Sequence, residues 1–98
     1  MMEEVKRVEI VVDALHFDDV VEAIEGVGLK GWTRIRGVLG SGERGMQYAD
    51  ELTRVSDNNL LLTTCRPDQL DALEEALRPL LKRYGGVCLV SDARWLVR

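Results

Sequence analysis

The run Gly31-Trp32-Thr33-Arg34-Ile35-Arg36-Gly37-Val38-Leu39-Gly40-Ser41-Gly42-Glu43-Arg44-Gly45 changes character at its midpoint. Its first half alternates as a strand does, with Trp32, Arg34 and Arg36 on one parity and Thr33, Ile35 and Gly37 on the other. Its second half carries glycines at 37, 40, 42 and 45, with Ser41 and Arg44 among them. Glycine reaches φ > 0 without steric cost, so backbone N–H groups in such a loop can turn toward an anion. Arg44 adds a charged fork suited to phosphate or carboxylate. The spacing matches neither the Walker A pattern nor the dinucleotide fingerprint. A flexible connection between two strands is the plainer interpretation, and the loop alone does not decide between them. The connection runs on through Met46, Tyr48, Asp50, Glu51 and Arg54 to Asp57. At roughly 20 residues it far exceeds an ordinary hairpin loop, which suits a functional or mobile segment. Gly40 to Ser56 is expected to be mobile without ligand, having few apolar anchors.

The flanks supply regular elements. Upstream, Glu4–Val12 is a strand, with Val8, Ile10 and Val12 on one face and Arg7, Glu9 and Val11 on the other. A turn at Asp13–His16 leads into a helix over Phe17–Val27, whose stripe is Phe17, Val20, Ile24 and Val27. Asp18 and Asp19 suit its first turn, and Gly26 and Gly28 its exit. Trp32–Val38 is the second strand. Downstream, Asn59–Cys65 is the third, and Pro67 opens a second helix with Leu70, Leu73, Leu77, Leu80 and Tyr84 as its stripe. Pro79 cannot donate to the Glu75 carbonyl, so a kink or break is expected there. Gly85-Gly86 ends this helix, Val87–Val90 is a fourth strand, and Arg94–Val97 a short fifth.

The order β-α-β-β-α-β predicts one α+β domain over residues 1–98, a ferredoxin-like fold with an antiparallel sheet. Right-handed crossovers place the end of strand two, the long loop, the start of strand four and the end of strand one at one end of the sheet. Both glycine-rich turns therefore converge. Two helices cover only one face, yet strand three is apolar on both parities and Val5 and Val11 lie opposite the main apolar face of strand one. A second apolar face predicts a homo-oligomer.

Composition narrows the function. A formal net charge of −4 weighs against nucleic acid, while a local arginine cluster still permits an anionic small molecule. Cys65 and Cys88 have no partners at metal-ligand spacing and are expected as buried free thiols in a reducing cytoplasm. No leader or membrane-spanning run is visible. Catalytic sets are lacking: His16 is the sole histidine and is expected as a surface polar residue, Asp18 and Asp19 fit helix-start charges, and Ser41 has no evident base. Glu74 and Arg78 fit an i,i+4 ion pair on a solvated helix face. Trp32 and Trp95 fit core or interface anchors. A non-enzymatic protein is expected.

Taken together, the chain resembles the PII signalling family, its smaller PII-like branch in particular. Phe17-Asp18-Asp19-Val20, Gly31-Trp32-Thr33, Gly37 with the glycine/arginine segment beyond it, the long loop, Pro67-Asp68 and the glycine turn before strand four carry the resemblance, which spans almost the whole chain. It implies a homotrimer that binds adenine nucleotides between subunits and signals to a protein partner, a transporter or an enzyme, through the long loop, the family's T-loop. By position it implies that Thr33 contacts adenine, that Val11 lines the pocket and that Thr63 and Cys65 sit beside it. Gly37, Gly40, Ser41, Gly42 and Arg44 would approach phosphates from the loop base, and Gly85 and Gly86 from the opposite turn. Arg98 resembles a C-terminal arginine reaching into the neighbouring site. ATP-holding members follow the glycine turn with a lysine, where this chain has Val87; that favours ADP or AMP over ATP. Tyr48 does not match the setting of the family's uridylylated tyrosine. Similarly altered sites occur in PII-like proteins linked to carboxysomes and bicarbonate uptake, which implies bicarbonate as a second ligand. The alternative is a trimeric metal- or metabolite-responsive module of the CutA type, against which the lack of a Cys/His cluster weighs.

Overall fold

The computed structural model describes residues 2–40 and 57–98. Its elements are β1 (Glu3–Asp13), α1 (Phe17–Val27), β2 (Thr33–Val38), β3 (Asn58–Cys65), α2 (Leu70–Tyr84) and β4 (Val87–Trp95), with single 3₁₀ turns at Ala14–His16 and Pro67–Gln69. The strands form one antiparallel sheet in the order β2-β3-β1-β4, the ferredoxin-like arrangement.

The core lies between the helices and one sheet face. Val8, Ile10 and Val12 of β1 and Leu61 of β3 meet Phe17, Val20 and Ile24 of α1 and Leu73 and Leu77 of α2. The period of two in the strands and the 3–4 spacing in the helices place these residues on facing sides. Asp13 caps the first 3₁₀ turn by accepting from the His16 N–H at 3.0 Å. Gly28, at φ +106°, ends α1, and its N–H donates to Glu25 at 3.0 Å. Only a residue free to enter the left-handed region makes that exit cheaply. Gln69 Oε1 accepts from the Arg66 N–H at 2.9 Å and ties down the start of α2.

Four expectations change. Of the kink or break expected at Pro79, the break is absent: α2 runs continuously from Leu70 to Tyr84. Pro79 and Glu75 both lie on the exposed side, so water can serve the carbonyl that loses its donor, while Leu77 and Leu81 hold the helix to the core. The fourth and fifth strands are one continuous β4, because pairing with β1 carries on from Val87 to Trp95. Cys88 is exposed rather than buried, since β4 is an edge strand that α2 does not cover; Cys65 is buried, and both thiols are free. His16 is half-buried: its Nδ1 lies 2.9 Å from Asp13 Oδ1 and its ring stacks on Tyr84 with centroids 3.6 Å apart.

The expected Arg78–Glu74 ion pair is present on the exposed face of α2. The sheet face away from the helices carries Val11, Ile35, Leu60, Leu62, Val87 and Leu89 in adjacent registers. Of these Ile35, Val87 and Leu89 are 44%, 61% and 64% exposed. Val5, on the same face, is buried. No helix among the described residues is long and apolar enough to cross a membrane.

Candidate functional site

The predicted site residues fall into two groups at opposite ends of the sheet. The first gathers where β1 and β2 end and β3 and β4 begin. Gly85, at φ +86°, terminates α2, and its N–H is committed to the Leu81 carbonyl at 2.8 Å. Gly86 then lies hard against β1: a Cβ there would meet the Val11 carbonyl oxygen at 2.7 Å and Leu81 Cδ2 at 2.9 Å. That close approach sets the turn beside Val11, which pairs with Val87 on one side and Leu60 on the other. Across the sheet, Leu60 pairs with Ile35, and the ladder shifts register between Ile35 and Val38 around Gly37, at φ +67°. The shift turns the end of β2 toward the long connection. Gly40 has open space around its Cα. Ser41, Gly42 and Arg44, and the expectation about the mobility of the loop, lie outside the described residues.

The second group lies where β1 starts and β3 and β4 end. Thr33, Thr63, Cys65 and Arg98 line one basin of about 810 Å³. Thr63 Oγ1 donates to the Gly31 carbonyl at 2.6 Å and fixes the segment leading into β2. Burial pushes the Cys65 thiol above its usual range against the pull of Lys6 and Arg66, so it stays protonated at neutral pH. Arg98 pairs with Glu3 at 3.2 Å. Trp32 packs edge-on against Phe17, with centroids 5.6 Å apart, and donates to Glu25 Oε2 at 3.3 Å.

Sequence reasoning missed most of the basin's charge. Arg7, Lys30, Arg66 and Arg94 also line it, with Glu3 as its sole acid among the described residues. These cations are scattered along the chain and meet only through strand register: Arg7 lies opposite Thr64, and Arg94 opposite Glu4. Parity put Arg7 on the face away from the helices; nothing in the sequence alone brought it to Arg98. Arg7, Arg66 and Arg98 are paired with Glu9, Asp68 and Glu3, which leaves Lys30 and Arg94 as the lining cations outside the ion pairs found among the described residues.

The outer members of the two groups are far apart within one chain, while Thr33 and Thr63 lie two and three rows from Val11. Val11 and the Cys65 partner Lys6 are separated by five positions along β1, ~17 Å of extended strand. Thr63 and Cys65 also face the helices, whereas Val11 faces away from them. A second concavity, about 410 Å³, lies between α2 and the edge of β4, walled by Leu73, Leu77, Leu81, Val87 and Val90. Among the described residues no group of three or more histidine, cysteine or acidic side chains is placed to hold a metal ion.

Residues 5–97 match the family model described as nitrogen regulatory protein P-II. No curated protein sequence gives a significant match. Among solved structures, the chain is similar to CPII, a nitrogen regulatory PII-like protein from Thiomonas intermedia, bound to ADP, AMP and bicarbonate. The TM-score is 0.82 at 19% identity, over 100% of this chain and 98% of that one. A PII-like signaling protein from Thermus thermophilus superposes at TM-score 0.73 with 23% identity, over 95% and 90% of the chains. The GlnK–ATP complex of B. subtilis gives 0.67 with 18% identity, over 95% and 84%. At these identities the likeness establishes the fold.

Proposed function

Because the chain belongs to the nitrogen regulatory protein P-II family, we propose that it is a non-enzymatic sensor of adenine nucleotides that works as a homotrimer in the cytoplasm. ADP or AMP is the preferred ligand, and bicarbonate a second one. The observation that carries this reading is the split of the candidate residues. Gly85, Gly86 and Val11 stand at one end of the sheet and the Thr33–Thr63–Cys65–Arg98 basin at the other. A ligand that reaches from the Gly86 turn to the far end of the basin at Cys65 and Arg98 is best served by taking one group from each of two neighbouring copies. The uncovered apolar face with Ile35, Val87 and Leu89 supplies the surface on which copies meet. CPII, a structural neighbour, holds ADP, AMP and bicarbonate, which supports the choice of ligands.

Sensing then follows from assembly. The phosphates approach the loop base, Gly37, Gly40, Ser41, Gly42 and Arg44, and the opposite turn, while Thr33 and the basin take the base. Occupancy changes what the long loop presents to a protein partner, a transporter or an enzyme. Calorimetry with ATP, ADP and AMP, each with and without bicarbonate, tests this. Micromolar binding of ADP or AMP, weakened by Arg44→Ala, is the expected result. Indifference of all affinities to Arg44→Ala removes the loop base as the phosphate site. Failure of every adenine nucleotide to bind moves the assignment to a metal- or metabolite-responsive module of the same architecture.

A further inference from the structure

Asn59 is a buried polar side chain, 1% exposed, on the helix-facing side of β3 opposite Val12. Both ends of its amide are engaged. Oδ1 accepts from Arg34 Nε at 2.8 Å, and Nδ2 donates to the Asp57 carbonyl at 3.3 Å. The same carbonyl accepts from the Ala14 N–H at 2.8 Å. Asp57 and Asn59 stand where the chain returns from the long connection, and Arg34 stands on the outgoing strand β2. One amide therefore joins β2 to β3 and, through Asp57, to the turn after β1. Contacts continue beyond Arg34. Its guanidinium lies over the Phe17 ring, 4.1 Å from the centroid, and Phe17 meets Trp32 edge-on with centroids 5.6 Å apart. Trp32 lines the basin. A buried amide is costly to leave half-satisfied, so a shift of one partner is felt by the other.

We propose that Asn59 is a positioning residue that couples the root of the long connection to the basin, with Arg34, Phe17 and Trp32 as the contacts between them. The inference rests on the nucleotide reading above for its ligand and deepens it: occupancy of the basin by the base reaches Asp57 through packed side chains, without passing through the phosphates. The competing account is that Asn59 holds the root in place and passes nothing on. Contact alone does not make coupling, and a mutant cycle measures it.

The chain has two tryptophans, Trp32 and Trp95, so the indole N–H resonance lost in Trp32→Phe is that of Trp32. In the ¹⁵N-labelled protein without ligand, Asn59→Asp keeps an acceptor for Arg34 but puts an oxygen where the donor to Asp57 was. It should speed exchange of the Ala14 N–H by roughly fivefold or more, the scale of one hydrogen bond, and shift the Trp32 indole resonance. Arg34→Met keeps an apolar chain over Phe17 and removes the Nε donor. In that background Asn59→Asp should no longer move the indole, a loss that a purely structural role does not produce. ADP should slow exchange of the Ala14 N–H in the unaltered protein and not in Arg34→Met, with calorimetric ADP affinities of the two within about twofold. An indole that ignores Asn59→Asp, or that responds to it equally with and without Arg34→Met, overturns the proposal. So does ADP protection of Ala14 that survives Arg34→Met. If Asn59→Asp does not fold, Arg34→Met decides alone, and Ala14 exchange unchanged by it overturns the proposal. Absence of any ADP binding to the unaltered protein sinks the nucleotide reading, while the ligand-free cycle still decides the coupling.

Discussion

Gly86 has no space for even a methyl group, because the Val11 carbonyl oxygen stands where its Cβ would be. Backbone cannot yield as a flexible side chain can, so Gly86→Ala must push the start of β4 off β1. A loss of roughly 1–3 kcal/mol is expected from such overpacking, read as a lower urea midpoint. The next residue carries a different kind of information. Val87 is exposed and apolar at the mouth of the glycine turn, so a third phosphate arriving there finds no counter-charge. Val87→Lys should raise ATP affinity relative to AMP by roughly tenfold, the scale of one charge-assisted contact. An unaltered protein that binds ATP ten times tighter than ADP and AMP would contradict this account of Val87. Both residues stood out in the sequence, Gly86 as half of a helix-ending pair and Val87 as an apolar residue following it. What the sequence withheld was the contact: the spatial neighbour of Gly86 is 75 positions away in the chain, and only strand register reveals it.

The helices and strands were legible because period and punctuation agree. The spacing of its stripe and its glycines bounds the helix Phe17–Val27, and the element order implies the antiparallel ferredoxin-like sheet. Errors arose where tertiary contacts override a local rule. Pro79 is a breaker by local chemistry, yet Leu73, Leu77 and Leu81 anchor both sides of it, and α2 continues. Its cost is still present. Pro79→Ala restores a donor to the Glu75 carbonyl and should stabilise the protein by about 1–3 kcal/mol, less what proline saves in unfolded-chain entropy. Equilibrium urea denaturation checks this, and an unchanged midpoint would mean that the helix accommodates proline without penalty. Ser91-Asp92-Ala93 interrupts the apolar run between Val90 and Trp95, so the sequence pattern alone divides β4 in two. An edge strand paired along one side has no need of such a run, and the ladder with β1 holds it to Trp95. The basic basin was invisible for a similar reason: its cations lie on separate elements, and no local pattern joins them.

On the scale of the whole molecule, the uncovered sheet face is the feature that a monomer least accommodates. Leu89 sits near its middle, flanked across the ladder by Glu9, and is 64% exposed. The unaltered protein is expected to be a trimer by light scattering. Leu89→Asp sets a charge in the proposed assembly surface and should shift the mass toward monomer; because the side chain is solvent-exposed in the single chain, the fold itself should persist by circular dichroism. A stable monomer at micromolar concentration before any substitution would remove the trimer altogether.

The ~17 Å that separates Val11 from the Lys6–Cys65 register also has a genetic meaning. If each cleft borrows one end of the sheet from one copy and the other end from its neighbour, two inactive variants can repair each other. Take Gly86→Val, which blocks the turn, and Thr33→Val, which spoils the basin. Each alone leaves every cleft defective. Unfolded and refolded together, they assemble mixed rings in which one junction unites the sound turn of one chain with the sound basin of the next, while another junction collects both lesions. Nucleotide binding should therefore reappear in the mixture, where neither parent shows any. A cleft built within a single chain could never be rescued in this way.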